Sequence, residues 1–110
     1  MIINQYEIVV VNLDPTVGSE IKKTRPCLVI SPNEINHNLR TIVIVPLTSV
    51  QKAYPTRILI KSTSNPSWAV IEQIRTIDRK RILRISGKIN SREIEEVKAI
   101  VSQSPTEHLA

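Results

Sequence analysis

Apolar residues occur along the chain in short runs, which are separated by segments rich in proline, asparagine and serine. Most runs consist of Val and Ile, whose β-branched side chains favour sheet. Two of them, residues 27–31 and 41–45, are continuously apolar, which predicts burial on both faces. The runs that predict strands or strand pieces are residues 6–12, 27–31, 41–45, 57–60, 68–72, 75–77 and 82–89.

The intervening segments predict turns, and the last pattern predicts a helix. Residues 31–40 are expected to form a loop or one broken helical turn, and residues 78–81 a short helical turn. Near the C-terminus, Asn90 or Ser91 can cap a helix. Its apolar residues share one face, namely Ile94, Val97, Ile100 and Val101. The expected fold class is therefore mainly β with a C-terminal helix, as a small, curved antiparallel sheet or barrel in one domain over residues 1–110.

Composition narrows the possible environments. The sequence of 110 residues is 41% apolar, enough for a core, and contains one cysteine, Cys27, which cannot form an internal disulfide. In its apolar run, Cys27 is expected to be a small buried side chain rather than a nucleophile. No targeting segment and no membrane-spanning stretch is recognisable, so a cytoplasmic location is expected. His37 and His108 lie in a loop and the tail and offer no metal-ligand spacing, so no metal or cofactor is expected.

Positive charge is concentrated in the middle of the chain. The net charge is +5, but the segment from Lys22 to Lys88 has 13 Lys and Arg against three acids, an excess of ten. Such an excess attracts polyanions and is typical of nucleic-acid binding, although some basic domains carry it only for solubility.

The segment Leu13 to Pro32, LDPTVGSEIKKTRPCLVISP, contains the most informative candidate chemistry. Arg25 comes directly before an expected strand, which can hold its guanidinium in place. Arginine stays charged and can give two parallel hydrogen bonds to phosphate oxygens. The alternative is a strand-entry turn with a solvated charge.

Three sequence blocks occur in a characteristic order. They are LDPTVGSE followed by TRPCLVISP, then VPLTS at residues 45–49, then EQIRTIDRKRI at residues 72–82. In these blocks the chain resembles the MazF, Kid and PemK family of bacterial toxins. The resemblance implies a small SH3-like barrel of the plasmid-maintenance-toxin type. It also implies an endoribonuclease that cuts single-stranded RNA without metal or ribosome and acts as a homodimer. A cognate antitoxin would neutralise it, and we expect this antitoxin to lay an acidic segment across the basic groove.

The resemblance also implies roles for individual residues. Arg25 and Thr48 match the pair assigned to catalysis, and Glu20 matches the acid of the GSE turn. The reaction is attack of a ribose 2′-hydroxyl on the adjacent phosphorus, for which Arg25 would stabilise the phosphorane, Thr48 would bind an oxygen and Glu20 would serve as base. An ordinary turn carboxylate is an equally good interpretation of Glu20.

Further positions are expected to contact RNA. Gln73 is assigned to this role by its family position, because an amide can read base edges. The other expected contacts flank the two catalytic positions and are Ser19, Lys22, Lys23, Ser49, Gln51 and Lys52.

The chain departs from the Kid branch of the family in one respect. The histidine, arginine and aspartate of that branch are replaced by Ser19, Val70 and Glu72, so its acid–base set does not transfer. Glu72 is therefore expected to be a structural partner of nearby basic residues. Asp78 is expected to cap or pair, Trp68 to be partly buried, and residues 79–81 to be either a solvated turn or a phosphate track.

Two other functions remain open at the level of sequence. A non-catalytic RNA-binding module is disfavoured because no strand is rich in aromatics for base stacking. A protein-targeting toxin, like the gyrase-poisoning CcdB relatives of the same fold, is disfavoured by the presence of Arg25 and Thr48.

Overall fold

The computed structural model describes residues 1–13, 24–51 and 54–103. In this part of the chain it contains strands β1 Glu7–Asn12, β2 Thr24–Val29, β3 Thr41–Thr48, β4 Arg57–Ile60, β5 Ser67–Val70, β6 Arg75–Asp78 and β7 Ile82–Lys88. The helices are α1 Asn33–Asn36 and α2 Ser91–Ser102, and short 3₁₀ turns lie at Ile71–Gln73 and Arg79–Arg81. The predicted fold class, mainly antiparallel β with a C-terminal helix, is confirmed.

The sheet is organised around its longest strand, β3. The strand order is β4-β5-β3-β2-β1-β7, and all pairings are antiparallel. One edge of β3 pairs with β2, while the other edge is shared between β6, opposite Thr41 to Ile44, and β5, opposite Leu47 and Thr48. The pairings recorded for the described residues leave β4 and β7 at the two ends, so the sheet is open rather than a closed barrel.

Apolar side chains fill the spaces on both faces of the sheet. Alternate residues of β3 point to opposite faces, so Val43 and Val45 join one cluster and Ile42 and Ile44 the other. Val97 of α2 covers the first cluster. Every residue from Ile42 to Leu47 is buried, which confirms the predicted burial of this strand on both faces.

Cys27 belongs to the second cluster. Its side chain is fully buried, and this burial raises the pKa of the thiol to about 12 although Arg25 and Arg75 oppose the shift. The expectation of a small, buried core side chain is confirmed.

The start of α2 is held by a capping box. The Asn90 side chain accepts a hydrogen bond from the Glu93 amide at 2.9 Å, and the Glu93 carboxylate accepts one from the Asn90 amide at 3.1 Å. Glu93 also accepts from the Lys61 amide at 2.7 Å and from the Ser62 hydroxyl. A single carboxylate thus joins the helix to the end of β4.

The basic run between β6 and β7 has backbone partners. Asp78 accepts a hydrogen bond from the Lys80 amide at 2.9 Å and so caps the 3₁₀ turn, as predicted. Arg79 donates to the carbonyl oxygen of Asn36, and Arg81 donates to that of Asn12 at 3.4 Å. These two arginines therefore stabilise the fold by joining separate segments.

Candidate active site

The register of β2 and β3 brings the two predicted catalytic residues to the same end of the sheet. Cys27 is the partner of Pro46. When this antiparallel register is continued by two residues on each strand, Arg25 lies opposite Thr48. Because alternate residues share a face, both side chains continue the face on which Cys27 is buried. That face is apolar in the middle of the sheet and polar at this end.

A cavity of about 210 Å³ opens at this end. Its walls combine the ends of β2 and β3 with β4 and the segment that follows β5. It is lined by Arg25, Pro46, Thr48, Val50, Arg57, Val70 and Gln73. Three residues selected from the sequence, Arg25, Thr48 and Gln73, thus contribute to one cavity.

Thr48 is oriented by its own chain. Its hydroxyl oxygen accepts a hydrogen bond from the Val50 amide at 3.2 Å. A threonine hydroxyl has one proton and two lone pairs, so accepting this bond leaves the proton available for donation to a ligand oxygen. The side chain is half-buried, whereas Arg25 is exposed. The arrangement offers an oriented hydroxyl donor beside an accessible guanidinium.

Gln73 reaches the cavity through the pairing of β5 with β3. Thr48 is the partner of Trp68, and the 3₁₀ turn Ile71–Gln73 follows directly after β5. Gln73 is exposed at the end of this turn, and Trp68 is half-buried, as predicted.

Two of the other residues selected for RNA contact lie in the described part of the chain, and neither lines the cavity. Ser49 and Gln51 are exposed on either side of Val50, outside the lining. The remaining selected residues lie outside the described part of the chain, and they are Ser19, Glu20, Lys22, Lys23 and Lys52.

Arg57 is a cavity residue that the sequence did not indicate. Its side chain is only 9% exposed, and its Nε donates to the Glu72 carboxylate at 3.2 Å. Its Cζ lies 5.0 Å from the centre of the Tyr54 ring. Glu72 also accepts a hydrogen bond from the Thr56 hydroxyl at 2.8 Å. Arg57 and Glu72 are 15 residues apart in the sequence, so no local sequence pattern predicts that they pair.

Glu72 pairs with a basic residue, Arg57, and this is the structural role that was predicted for Glu72 from the sequence. Partial desolvation acts to raise its pKa, but hydrogen bonds from Thr56 and Arg57 and the positive charge of Arg57 lower the pKa overall. The carboxylate is consequently ionised at neutral pH and keeps its hold on Arg57.

A larger cavity, of about 520 Å³, lies between α2 and the N-terminal segment. Its wall is mainly apolar and includes Tyr6, Ile30, Val97 and Val101. Among the described residues that line it, none matches a position selected for catalysis. The smaller cavity is therefore the candidate site. In residues 1–13, 24–51 and 54–103, no group of three or more His, Cys, Asp or Glu side chains could hold a metal ion.

The sheet, its helix and the basic cavity define a small β protein with a polar site at the strand ends. Residues 4–104 match the family described as PemK-like, MazF-like toxin of type II toxin–antitoxin system. The chain belongs to this family. The resemblance found in the three sequence blocks is thereby confirmed.

Individual relatives agree with this assignment. The chain is 35% identical over 101 residues to endoribonuclease MazF9 of Mycobacterium tuberculosis, covering 83% of this chain and 86% of that protein. It is 29% identical over 97 residues to endoribonuclease toxin MazF of Escherichia coli, covering 87% of each chain.

Solved structures share the fold. A MazE–MazF structure from Deinococcus radiodurans superposes with a TM-score of 0.81 at 22% identity, covering 94% of this chain and 95% of that one. A mycobacterial endoribonuclease in complex with its cognate antitoxin superposes with a TM-score of 0.80 at 16% identity, covering 97% and 96%. In the described part of this chain, no helix is long and apolar enough to span a membrane.

Proposed function

We propose that this chain is the toxin of a type II toxin–antitoxin pair and acts as a sequence-specific endoribonuclease on single-stranded RNA, independently of metal and ribosome. The observation that carries the proposal is the meeting of Arg25 and Thr48 at one cavity. The naming of relatives as endoribonucleases supports it. The unit that acts would be a homodimer of a single domain over residues 1–110, working in the cytoplasm.

The reaction would proceed by attack of a ribose 2′-hydroxyl on the neighbouring phosphorus. A 2′,3′-cyclic phosphate forms, and the 5′-oxygen leaves and takes up a proton. Arg25 stabilises the negative charge that grows on the non-bridging oxygens, and Thr48 donates its hydroxyl proton to one of them. Glu20 is the proposed base that removes the 2′ proton.

Selection of the RNA sequence would come from the rim of the cavity. Gln73 offers an amide for base edges, while Ser49, Gln51, Lys52, Ser19, Lys22 and Lys23 contact neighbouring bases or phosphates. The cognate antitoxin would compete for the same positive charge with an acidic segment. Solved relatives in complex with antitoxins support this partner class.

The test is digestion of a long unstructured RNA in EDTA by the wild type, Arg25→Ala and Thr48→Ala, with mapping of the ends. We expect discrete cuts with 5′-hydroxyl ends, and a rate loss of about 100-fold or more for Arg25→Ala because a charged donor to the transition state is removed. Arg92→Ala is the matched control, since the Arg92 side chain is 90% exposed on α2.

Intact RNA after incubation with folded wild-type protein would overturn the proposal. RNA that is bound but uncut would point to the RNA-binding module. Inhibition of gyrase without RNA cleavage would point to the protein-targeting toxin.

A further inference from the structure

Arg57 places a second guanidinium in the candidate site. It lines the same cavity as Arg25 but comes from β4, a strand at the end of the sheet. The alternation of β4 explains its position: Ile58 and Ile60 enter the apolar cluster covered by α2, so Arg57 points to the opposite face. The site is therefore positive on two sides.

The Arg57 guanidinium is held before any ligand arrives. Glu72 accepts from Nε, the Tyr54 ring lies against the guanidinium carbon, and the side chain is almost completely buried. A guanidinium has five N–H donors, and the contact with Glu72 uses one of them. In the described part of the chain, the two Nη nitrogens have no hydrogen bond to another residue. They can bind two oxygens of one phosphate group.

Arg25 and Arg57 differ in charge balance. Glu72 partly neutralises Arg57, whereas among the described residues no carboxylate is paired with Arg25. A group accelerates the reaction only if its interaction with the substrate becomes stronger as negative charge grows in the transition state. A guanidinium already balanced by a carboxylate is better suited to a phosphate whose charge stays constant.

We propose that Arg57 is a second phosphate-binding residue of the site, which contacts a non-scissile phosphate of the bound RNA while Glu72 and Tyr54 position it. This proposal rests on the proposed function. It assigns Arg57 to substrate binding, so its loss acts on KM and leaves kcat nearly unchanged.

The test uses the defined RNA target found by digestion and three variants. Arg57→Met keeps an unbranched apolar stem, and Arg57→Lys keeps the charge without the planar donors. We expect KM to rise about tenfold or more in Arg57→Met, the effect of losing a charged hydrogen bond, and less in Arg57→Lys, with kcat within about twofold of wild type. The double variant Arg57→Met/Glu72→Gln removes the carboxylate that the single variant leaves unpaired.

A chemical probe identifies the phosphate. One linkage at a time is replaced by a neutral methylphosphonate in the same RNA. At one linkage other than the cut, we expect the methylphosphonate to lower the kcat/KM of the wild type by the same factor as Arg57→Met lowers it on unmodified RNA. The kcat/KM of Arg57→Met itself should fall little further on this modified RNA. Such non-additivity indicates direct contact between the two groups.

The outcomes separate this proposal from the proposed function. If the wild-type protein cuts no RNA, the proposed function itself is contradicted. If the wild type cuts RNA but Arg57→Met has a wild-type KM, Arg57 only stabilises the fold. If the double variant regains a wild-type KM, Arg57 only masks the Glu72 carboxylate. Either result contradicts the proposal. A folded Arg92→Met variant with unchanged KM serves as control, and thermal unfolding confirms that each variant is native.

Discussion

Glu72 and Glu93 are two carboxylates that both accept several hydrogen bonds but lie in different places, Glu72 beside the cavity and Glu93 buried in the first turn of α2. Each accepts several hydrogen bonds, and for each these bonds lower the pKa although desolvation opposes the shift. The partners of Glu93 are the amides of Lys61 and Asn90 and the Ser62 hydroxyl, all neutral, so Glu93 joins α2 to β4. Glu72 is paired with a guanidinium that lines the cavity. The comparison teaches that the partner, rather than the shift of the pKa, distinguishes a carboxylate that joins two elements from one that positions a side chain of the candidate site.

The largest expected effect is on stability at the helix junction. Glu93→Ala removes a buried carboxylate and leaves the part-buried amides of Lys61 and Asn90 without their acceptor, so we expect the free energy of unfolding to fall by about 3 kcal/mol. Denaturant unfolding measures this change. Glu96→Ala, which removes an exposed carboxylate of the same helix, is the control and should cost less than about 0.5 kcal/mol. A loss equal to that of the control would show that the junction contributes nothing.

The second effect is on the pH dependence of stability. The pKa values of Glu72 and Glu93 are below the ordinary value of 4.5, so the folded state binds protons less readily than the unfolded chain. Their contribution is fully present above that ordinary value and is lost as pH falls through the folded pKa values. We expect unfolding free energy measured from about pH 6 to about pH 3 to fall steeply in the wild type and less steeply in Glu93→Gln. Parallel curves would contradict this assignment.

A third experiment contrasts the two carboxylates by activity. Glu72→Ala should destabilise the fold by only about 1 kcal/mol because the Glu72 side chain is 34% exposed, but it should raise KM several-fold because Arg57 loses its position. Glu93→Ala, assayed where it is fully folded, should keep a wild-type KM. Steady-state cleavage of the defined RNA measures both. Equal KM values would remove the functional difference between the two sites.

The smallest effect is expected at Cys27. Its thiol is buried and its pKa is raised to about 12, so an alkylating reagent near pH 8 should leave the native protein unmodified and its activity unchanged. Mass spectrometry before and after unfolding in denaturant checks this, since the unfolded chain should be labelled fully. Rapid labelling of the native protein would contradict the burial of this residue.

Much of the fold was predictable because local chemistry determines it. Val and Ile runs formed strands because these residue types favour sheet, and Asn90 capped α2 and Asp78 capped a short turn through contacts within three residues. The fold class was predicted correctly, but the sequence left open whether the sheet closes into a barrel, because local patterns do not determine whether edge strands meet; in the described residues the sheet is open. β3 also extends to Thr48, three residues beyond its predicted end, because β5 pairs with its last residues.

The residues of the candidate site were predictable only where a sequence motif indicated them. Arg25, Thr48 and Gln73 were chosen through sequence blocks and meet at one cavity. Ser49 and Gln51 flank Val50, whose side of the loop lines the cavity, and a single sequence could not tell which residues of this loop point inward.

The sequence by itself determined the elements, the buried faces, the excess of positive charge and the family, because each depends on residue type and on spacing over short distances. Only the tertiary structure decided that Arg57 meets Glu72 and that Glu93 meets the backbone at the end of β4. The physical reason is that periodicity specifies which side of a strand is buried, whereas the pairing and packing of strands decide which distant residues share the space at their ends.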